Sequence, residues 1–88
     1  MDLHKAAIEY TIDQYFTSTA ETLGPLVVYE RLKSAVEKGQ DWEENQDLMA
    51  WEPFYDWDFK DLLEEIEADI KVLEELLNQA RDSAGVPE

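Results

Sequence analysis

The fold of this chain is decided by residues 58–81, which read DFKDLLEEIEADIKVLEELLNQAR. Apolar side chains recur there at alternating steps of four and three residues, the spacing that keeps one stripe of an α-helix apolar. The stripe consists of Phe59, Leu63, Ile66, Ile70, Leu73, Leu77 and Ala80. Between residues 59 and 80 the remaining surface carries seven acidic residues and only two basic ones, Lys60 and Lys71. We therefore predict a long amphipathic helix with a carboxylate-rich surface.

A first helix is predicted over residues 2–17, with Asp2 as its N-cap. The polar residues 17–19 predict a break in that helix, followed by one helical turn that ends at Gly24. Glycine tolerates the left-handed conformation that closes a helix, and proline suits the first position of the next one. The pair Gly24–Pro25 therefore predicts a junction between two helices.

The next helix is predicted over residues 25–38, ending at Gly39. A strand over residues 26–29 is the competing interpretation. The helix is favoured because the apolar spacing continues to Val36 and the chain offers no second strand to pair with. Arg31 and the two lysines make this segment the only one with a positive balance, so we expect it to face an acidic neighbour.

Acidic and aromatic residues are mixed over residues 40–58, which hold seven acidic residues, no lysine or arginine, and all three tryptophans. A short helix is predicted over residues 43–51, ended by the proline that follows shortly after. Residues 53–57 are predicted to be a connector whose rings pack over the ends of the helices, with Asp56 or Asp58 capping the last helix. We expect most rings to join the core, because a domain this small needs their buried area. The rings are Trp42, Trp51, Phe54, Tyr55 and Trp57.

Helices joined by short loops predict an all-α protein, a small three- or four-helix bundle with a long acidic C-terminal helix. We expect a single helical domain over residues 1–82 and a flexible C-terminal tail over residues 83–88. The apolar stripe of the last helix also keeps a heptad pattern, which can serve as the seam of a coiled coil. A homodimer formed through this helix is therefore an open alternative.

The charge balance is unusual for a chain of 88 residues, with 22 acidic residues against 7 basic ones and a formal net charge of −15. Repulsion on this scale destabilises a compact fold, so it needs an explanation beyond solubility. Adaptation to high salt is one explanation, and binding to a basic partner is another. The chain has no cysteine, which excludes disulfides and thiolate metal ligands and suits a cytoplasmic protein. We expect no signal peptide, no membrane span and no binding to anionic membranes.

No constellation of catalytic residues is recognisable, so we expect neither enzyme activity nor a cofactor. His4 is the single histidine, one turn into a terminal helix, and we interpret it as an exposed or partly packed side chain. Paired carboxylates are abundant. Acid–base catalysis, however, needs a cleft that buries one of them, and a small helical domain offers little concavity.

The segment 41–52 partly matches the ligand pattern of an EF-hand calcium loop. Oxygen-bearing side chains stand at its first, third, fifth, seventh and twelfth positions: Asp41, Glu43, Asn45, Asp47 and Glu52. The match fails at the sixth position, where Gln46 replaces the glycine that the turn needs, and Pro53 interrupts the outgoing helix. We therefore predict no metal site.

The acidic excess persists through the second half of the chain, at −7 over residues 40–58 and −6 over residues 59–88. Carboxylates three or four residues apart on a helix stand about 5–6 Å apart at their bases, a separation comparable to that of neighbouring phosphates. Such a row would enter a lysine- and arginine-lined groove in place of nucleic acid, and arginine would bind it as it binds phosphate. A merely solvated helix face is the alternative. The predicted partner-binding residues are Asp41, Glu43, Glu44, Asp47, Glu52, Asp56, Asp58, Asp61, Glu64, Glu65 and Asp69.

In composition, size and helical plan, the chain resembles the DNA-mimic inhibitors encoded by phages and mobile elements, such as the Ocr-type antirestriction proteins and some anti-CRISPR proteins. The resemblance covers the whole chain and rests on no motif, so it transfers no site residue. It implies a basic DNA- or RNA-binding partner in the host cytoplasm, such as a restriction enzyme, a nuclease or a CRISPR effector, and no direct binding to nucleic acid. The rival hypothesis is a structural or adaptor module whose heptad helix mediates oligomerisation, with the acid serving only solubility.

Overall fold

Four α-helices make up most of the chain that the computed structural model describes, which is residues 2–50, 52–54 and 56–83. They are α1 (Leu3–Tyr15), α2 (Thr17–Leu23), α3 (Pro25–Lys38) and α4 (Phe59–Ser83), and one 3-10 turn, Glu52–Phe54, precedes α4. No strand occurs among these residues. The predicted all-α helical bundle with a long C-terminal helix is therefore confirmed.

The start of α1 follows the prediction, but its end does not. Asp2 Oδ1 accepts hydrogen bonds from the backbone N–H groups of His4 and Lys5, at 3.0 and 3.2 Å, which satisfies donors that the first turn of a helix leaves unpaired. The helix ends at Tyr15, and its C-cap is Phe16, whose backbone leaves the helical region (φ −131°, ψ 50°) and whose ring is fully buried. The break predicted at residues 17–19 is wrong, because the chain bends one residue earlier to place this ring in the core and then begins α2 at once.

Two glycines bound α3 as the sequence predicts. Gly24 has a positive φ of 93°, and the proline after it is the first residue of α3. Gly39 is left-handed (φ 69°), and beyond it the backbone N–H of Gln40 donates to the carbonyl of Ala35 at 2.8 Å, which closes the helix. The predicted helix is therefore confirmed, and the alternative strand is not formed.

The loop after α3 forms successive turns, so the helix predicted over residues 43–51 is wrong for its described part. Arg31 on α3 binds Asp47 through both terminal guanidinium nitrogens. Thr19 on α2 exchanges two hydrogen bonds with the backbone of Met49, at 2.7 and 3.0 Å. Residues two apart do not share a face of a helix, so these two attachments to different helices favour open turns over a helix.

The N-terminal part of α4 packs its apolar stripe against α1 and α3. Four of its side chains are buried, with no more than 3% of their surface exposed: Phe59, Leu62, Ile66 and Ile70. Leu62 widens the apolar stripe already in the sequence, and its burial makes the buried face broader than a two-stranded heptad seam. Beyond Ile70, Leu73 and Leu77 are only partly buried at the edge of the core.

Several predictions fall on residues beyond the described ranges. These are the rings of Trp51 and Tyr55, and residues 84–88 of the predicted tail; the side chain of Glu52 also lies outside the described part. Ser83, where the tail was predicted to begin, is the last residue of α4. None of the described helices combines the length and apolar character that crossing a bilayer requires.

Candidate functional site

An open depression lined by five carboxylates and one tryptophan lies at the N-terminal end of α4, with a volume of about 620 Å³. Its lining residues, which define what we call the acidic depression, are Asp56, Trp57, Asp58, Asp61, Glu64 and Glu65. All six are exposed, and this described lining contains no lysine or arginine. The depression is therefore a concave surface that presents five acidic side chains and no basic one in its described lining. All five carboxylates belong to the predicted partner-binding set.

The start of α4 and the turn before it supply these carboxylates. Asp58 is the N-cap, as one of two predicted candidates: its Oδ1 accepts a hydrogen bond from the backbone N–H of Asp61 at 2.8 Å. Asp61 and Glu65 are four residues apart and therefore share a face of the helix. Asp56 comes from the turn before the helix. The positive end of the helix dipole stabilises the anions of the first turn, which offsets part of their mutual repulsion.

Trp57 lies between two of the acidic residues and is 36% exposed. Its ring packs edge-on against Phe54, with centroids 5.4 Å apart at an interplanar angle of 78°. Its backbone carbonyl accepts a hydrogen bond from the indole N–H of Trp42 at 3.0 Å, and the Trp42 ring packs on Phe59 in the core. The expectation that most rings join the core holds for Trp42 and Phe54, which are partly buried against it. It does not hold for Trp57, whose exposed ring can take up a cation.

A second acidic group precedes and follows Trp42 in the chain. Its members Asp41, Glu43 and Glu44 are exposed, and each has a carboxylate oxygen within 4.8 Å of the others. Asp41 Oδ1 accepts the backbone N–H of Glu43 at 2.9 Å, and Glu44 Oε1 accepts that of Asp41 at 2.8 Å. These bonds explain the cluster as turn-forming contacts, and exposed acidic groups are common without a metal ion, so we assign no metal site here. Because Trp42 is bonded to Trp57, this group neighbours the acidic depression.

Two of the EF-hand-like positions bind an arginine. Asn45 is 6% exposed, and its Oδ1 accepts a hydrogen bond from Arg31 Nη2 at 3.2 Å. Asp47 forms an ion pair with the same guanidinium. The hydrogen bonds that Asp47 accepts from Arg31 hold the pKa of Asp47 below its usual value, and the charge of Arg31 contributes further. The positive segment on α3 thus faces an acidic neighbour, as predicted, and Arg31 compensates the charge of the predicted site residue Asp47.

Asp69 lies further along α4, four residues after Glu65, where the helix packs against α1. It accepts a hydrogen bond from the hydroxyl of Tyr15, and burial together with this bond raises the pKa of Tyr15. A similar contact joins α3 to α4, where the hydroxyl of Tyr29 donates to Glu67 Oε2 at 3.0 Å. Burial, followed by this hydrogen bond, raises the pKa of Tyr29 to about 12. These two contacts position α4 with carboxylates and use none of the basic residues.

Ion pairs are few among the described side chains. Besides Arg31 with Asp47, His4 Nδ1 lies 2.9 Å from Glu74 Oε1, and the histidine side chain is 59% exposed, in agreement with its interpretation from the sequence. Lys33 lies over the ring of Tyr29, 5.0 Å from its centroid. Most of the acidic side chains in the described part of the chain, including those of the acidic depression, therefore form no ion pair with a lysine or arginine.

A smaller, mostly apolar groove runs between α1 and α4, with a volume of about 230 Å³. Tyr10, Val72 and Leu76 line it with 61%, 56% and 55% of their surface exposed, together with the partly buried Leu73. We call this the apolar groove; Thr11, Gln14, Tyr15 and Asp69 complete its lining. Sequence reasoning missed it. Its signal in the sequence is Leu76, which widens the apolar stripe of α4, with Val72 four positions before it.

Comparison with protein-family models, with curated proteins and with solved structures finds no match to this chain. The role of the acidic depression therefore has to be inferred from its own geometry and charge.

Proposed function

We propose that this chain is a binding protein that occupies the basic, nucleic-acid-binding surface of another protein and competes with nucleic acid for it. The acidic depression carries the proposal, because five exposed carboxylates converge there without a lysine or arginine in its described lining. A concave field of one sign attracts and orients groups of the opposite sign. Lysine and arginine are the groups that nucleic-acid-binding proteins present to phosphates.

The arrangement favours recognition over a merely solvated helix face. A solvated face would consist of residues at helical spacing only, whereas Asp56 and Asp58 add carboxylates from the turn before α4. Arginine binds carboxylate in the same bidentate geometry that it uses for phosphate. Trp57 adds an aromatic ring on which the guanidinium of an arginine can stack. The phosphate backbone of a nucleic acid offers no such ring.

The rival adaptor hypothesis receives less support. Its heptad seam would need the apolar stripe of α4 to be available to another chain. Ile66 and Ile70 are 0% and 3% exposed because they already pack in the core of their own chain.

By resemblance to the DNA-mimic inhibitors, the partner would be a restriction enzyme, a nuclease or a CRISPR effector in a host cytoplasm.

A charge-matched pair of variants tests the proposal. The site variant neutralises four carboxylates of the acidic depression: Asp58→Asn, Asp61→Asn, Glu64→Gln and Glu65→Gln. The control variant neutralises four elsewhere: Asp2→Asn, Asp13→Asn, Glu21→Gln and Glu30→Gln. Both lose the same charge and the same residue types, and asparagine preserves the two N-caps.

Each immobilised protein is used to capture proteins from a bacterial lysate, which are then eluted with a short DNA duplex. We expect the wild type and the control variant to retain the same DNA-eluted proteins, and the site variant to lose them. Retention should also weaken as salt is raised from about 50 to 200 mM, because charge attraction is screened. Equal loss in both variants would show that only net charge matters, and failure of DNA to elute the bound proteins would refute competition with nucleic acid.

A further inference from the structure

The apolar groove continues the acidic surface along one face of α4. Starting from the N-cap, the residues on this face follow one another at steps of three or four: Asp58, Asp61, Glu65, Asp69, Val72 and Leu76. The face is therefore acidic over its first half and apolar over its second. Asp69 lies at the boundary, where the hydroxyl of Tyr15 holds its carboxylate at the end of the groove.

Exposed apolar side chains in a concave strip indicate a contact surface. The groove volume of about 230 Å³ is below the roughly 300–1,000 Å³ of typical small-molecule sites, so it suits a few side chains of a protein partner. Val72 and Leu76 are more than half exposed, so they add little to the core of their own chain.

The charge around the groove decides which partner fits it. Asp69 is the charged residue in its lining, and the nearest residues of the same face toward the N-terminus are Glu65 and Asp61. None of the three basic residues of α4 lines the groove: Lys71 lines a different depression with His4 and Glu74, and neither Lys60 nor Arg81 belongs to the described lining. A second copy of this chain would bring acid against acid, whereas a basic segment would find complementary charge beside the apolar contact.

We propose that the apolar groove takes apolar side chains of the same basic partner, which is therefore an amphipathic helix carrying lysine or arginine at one end of a face and aliphatic residues at the other. This inference rests on the proposed function. Asp61 and Val72, like Glu65 and Leu76, are eleven residues apart. At a rise of 1.5 Å per residue, the basic and apolar contacts of the partner stand about 16 Å apart, or three helical turns.

Two synthetic helical peptides probe the groove and the depression separately. The amphipathic peptide carries two arginines and two leucines on one face, with the pairs eleven residues apart. The basic peptide is identical except that serine replaces both leucines. Affinities for the full chain are measured by calorimetric titration, and sedimentation velocity gives the oligomeric state.

The groove variant is Val72→Ser with Leu76→Ser. Its matched control is Val27→Ser with Leu23→Ser, two exposed residues of the same types on other surfaces, 48% and 37% exposed. We expect the amphipathic peptide to bind the wild type about tenfold more tightly than the basic peptide does, a gain of about 1.4 kcal/mol. This gain should disappear in the groove variant and persist in the control variant.

Other outcomes separate the two proposals. Salt-sensitive binding of both peptides with equal affinity, or a gain that survives in the groove variant, would overturn the groove proposal and leave the proposed function standing. Failure of both peptides to bind would overturn both. A wild-type dimer that the groove variant dissociates would assign the groove to a second copy and overturn a basic partner there.

Discussion

Neutralising Glu65 is expected to stabilise the fold while it weakens binding. Glu65 stands four residues after Asp61 and four before Asp69, so it meets a like charge on each side along α4, within a surface that already holds five carboxylates. A like-charge pair at this spacing destabilises a helix by about 0.2–0.5 kcal/mol. Relief of two such pairs by Glu65→Gln should raise the free energy of unfolding by about 0.4–1 kcal/mol, since glutamine and glutamate have similar helix propensities.

Thermal unfolding followed by far-ultraviolet circular dichroism measures this effect. For a domain of this size, the expected gain corresponds to an increase in Tm of about 2–6 °C. The increase should be largest at low salt and shrink near 1 M salt, where the screening length falls to about 3 Å. Glu9→Gln is the matched control. Glu9 has Lys5 four residues before it and Asp13 four residues after it, so one attraction and one repulsion are lost together and Tm should hardly change.

The result tests whether the carboxylates of the acidic depression reduce the stability of the fold. Carboxylates that reduce the free energy of unfolding are expected at a binding surface, because residues that a function requires are kept even when they lower stability. A Tm for Glu65→Gln equal to or below that of the wild type, or a gain that does not depend on salt, would refute the reasoning. It would mean that the charge of Glu65 is compensated within its own chain.

Two further predictions concern the contacts that attach the loop and α4 to the bundle. Arg31→Met should lower the free energy of unfolding by about 1–2 kcal/mol at pH 7 in urea titration, because it leaves Oδ1 of the buried Asn45 without its hydrogen-bond donor. It also removes the exposed ion pair with Asp47, which makes the effect depend on pH. The hydrogen bond from Arg31 lowers the pKa of Asp47 in the folded state. The ion pair therefore stabilises the fold at pH values above the pKa that Asp47 has in the unfolded chain, and this stabilisation is lost as pH falls through the folded-state pKa. The difference in the free energy of unfolding between the wild type and Arg31→Met should accordingly shrink below about pH 4. Burial and the hydrogen bond to Glu67 raise the pKa of Tyr29 to about 12 in the folded state. The protonated phenol therefore stabilises the fold below the unfolded-state pKa, which is about 10, and this stabilisation is lost as pH rises toward 12. Wild-type Tm should therefore fall more steeply between about pH 10 and 12 than that of Tyr29→Phe, and equal slopes would show that the hydrogen bond to Glu67 does not hold the phenol proton.

The predictions made from the sequence are confirmed where interactions between neighbouring residues decide the structure. The apolar spacing of α4, the Gly24–Pro25 junction and the N-caps Asp2 and Asp58 all depend on residues within a few positions of one another. The predicted helix over residues 43–51 failed because its segment is attached by Arg31 and Thr19, which lie far away in the chain. Local propensity carries no information about such contacts.

For the candidate site, the sequence by itself determined the sign and amount of charge, and placed Asp61, Glu64 and Glu65 close together on one helix. Only the tertiary structure decided which other carboxylates join them. It compensated Asp47 with Arg31 and paired Asp69 with Tyr15, while Asp56 and Asp58 stayed in the depression with the three carboxylates of α4. The physical reason is that spacing along a helix follows from covalent geometry, whereas the neighbours of a charge depend on how helices distant in sequence pack together.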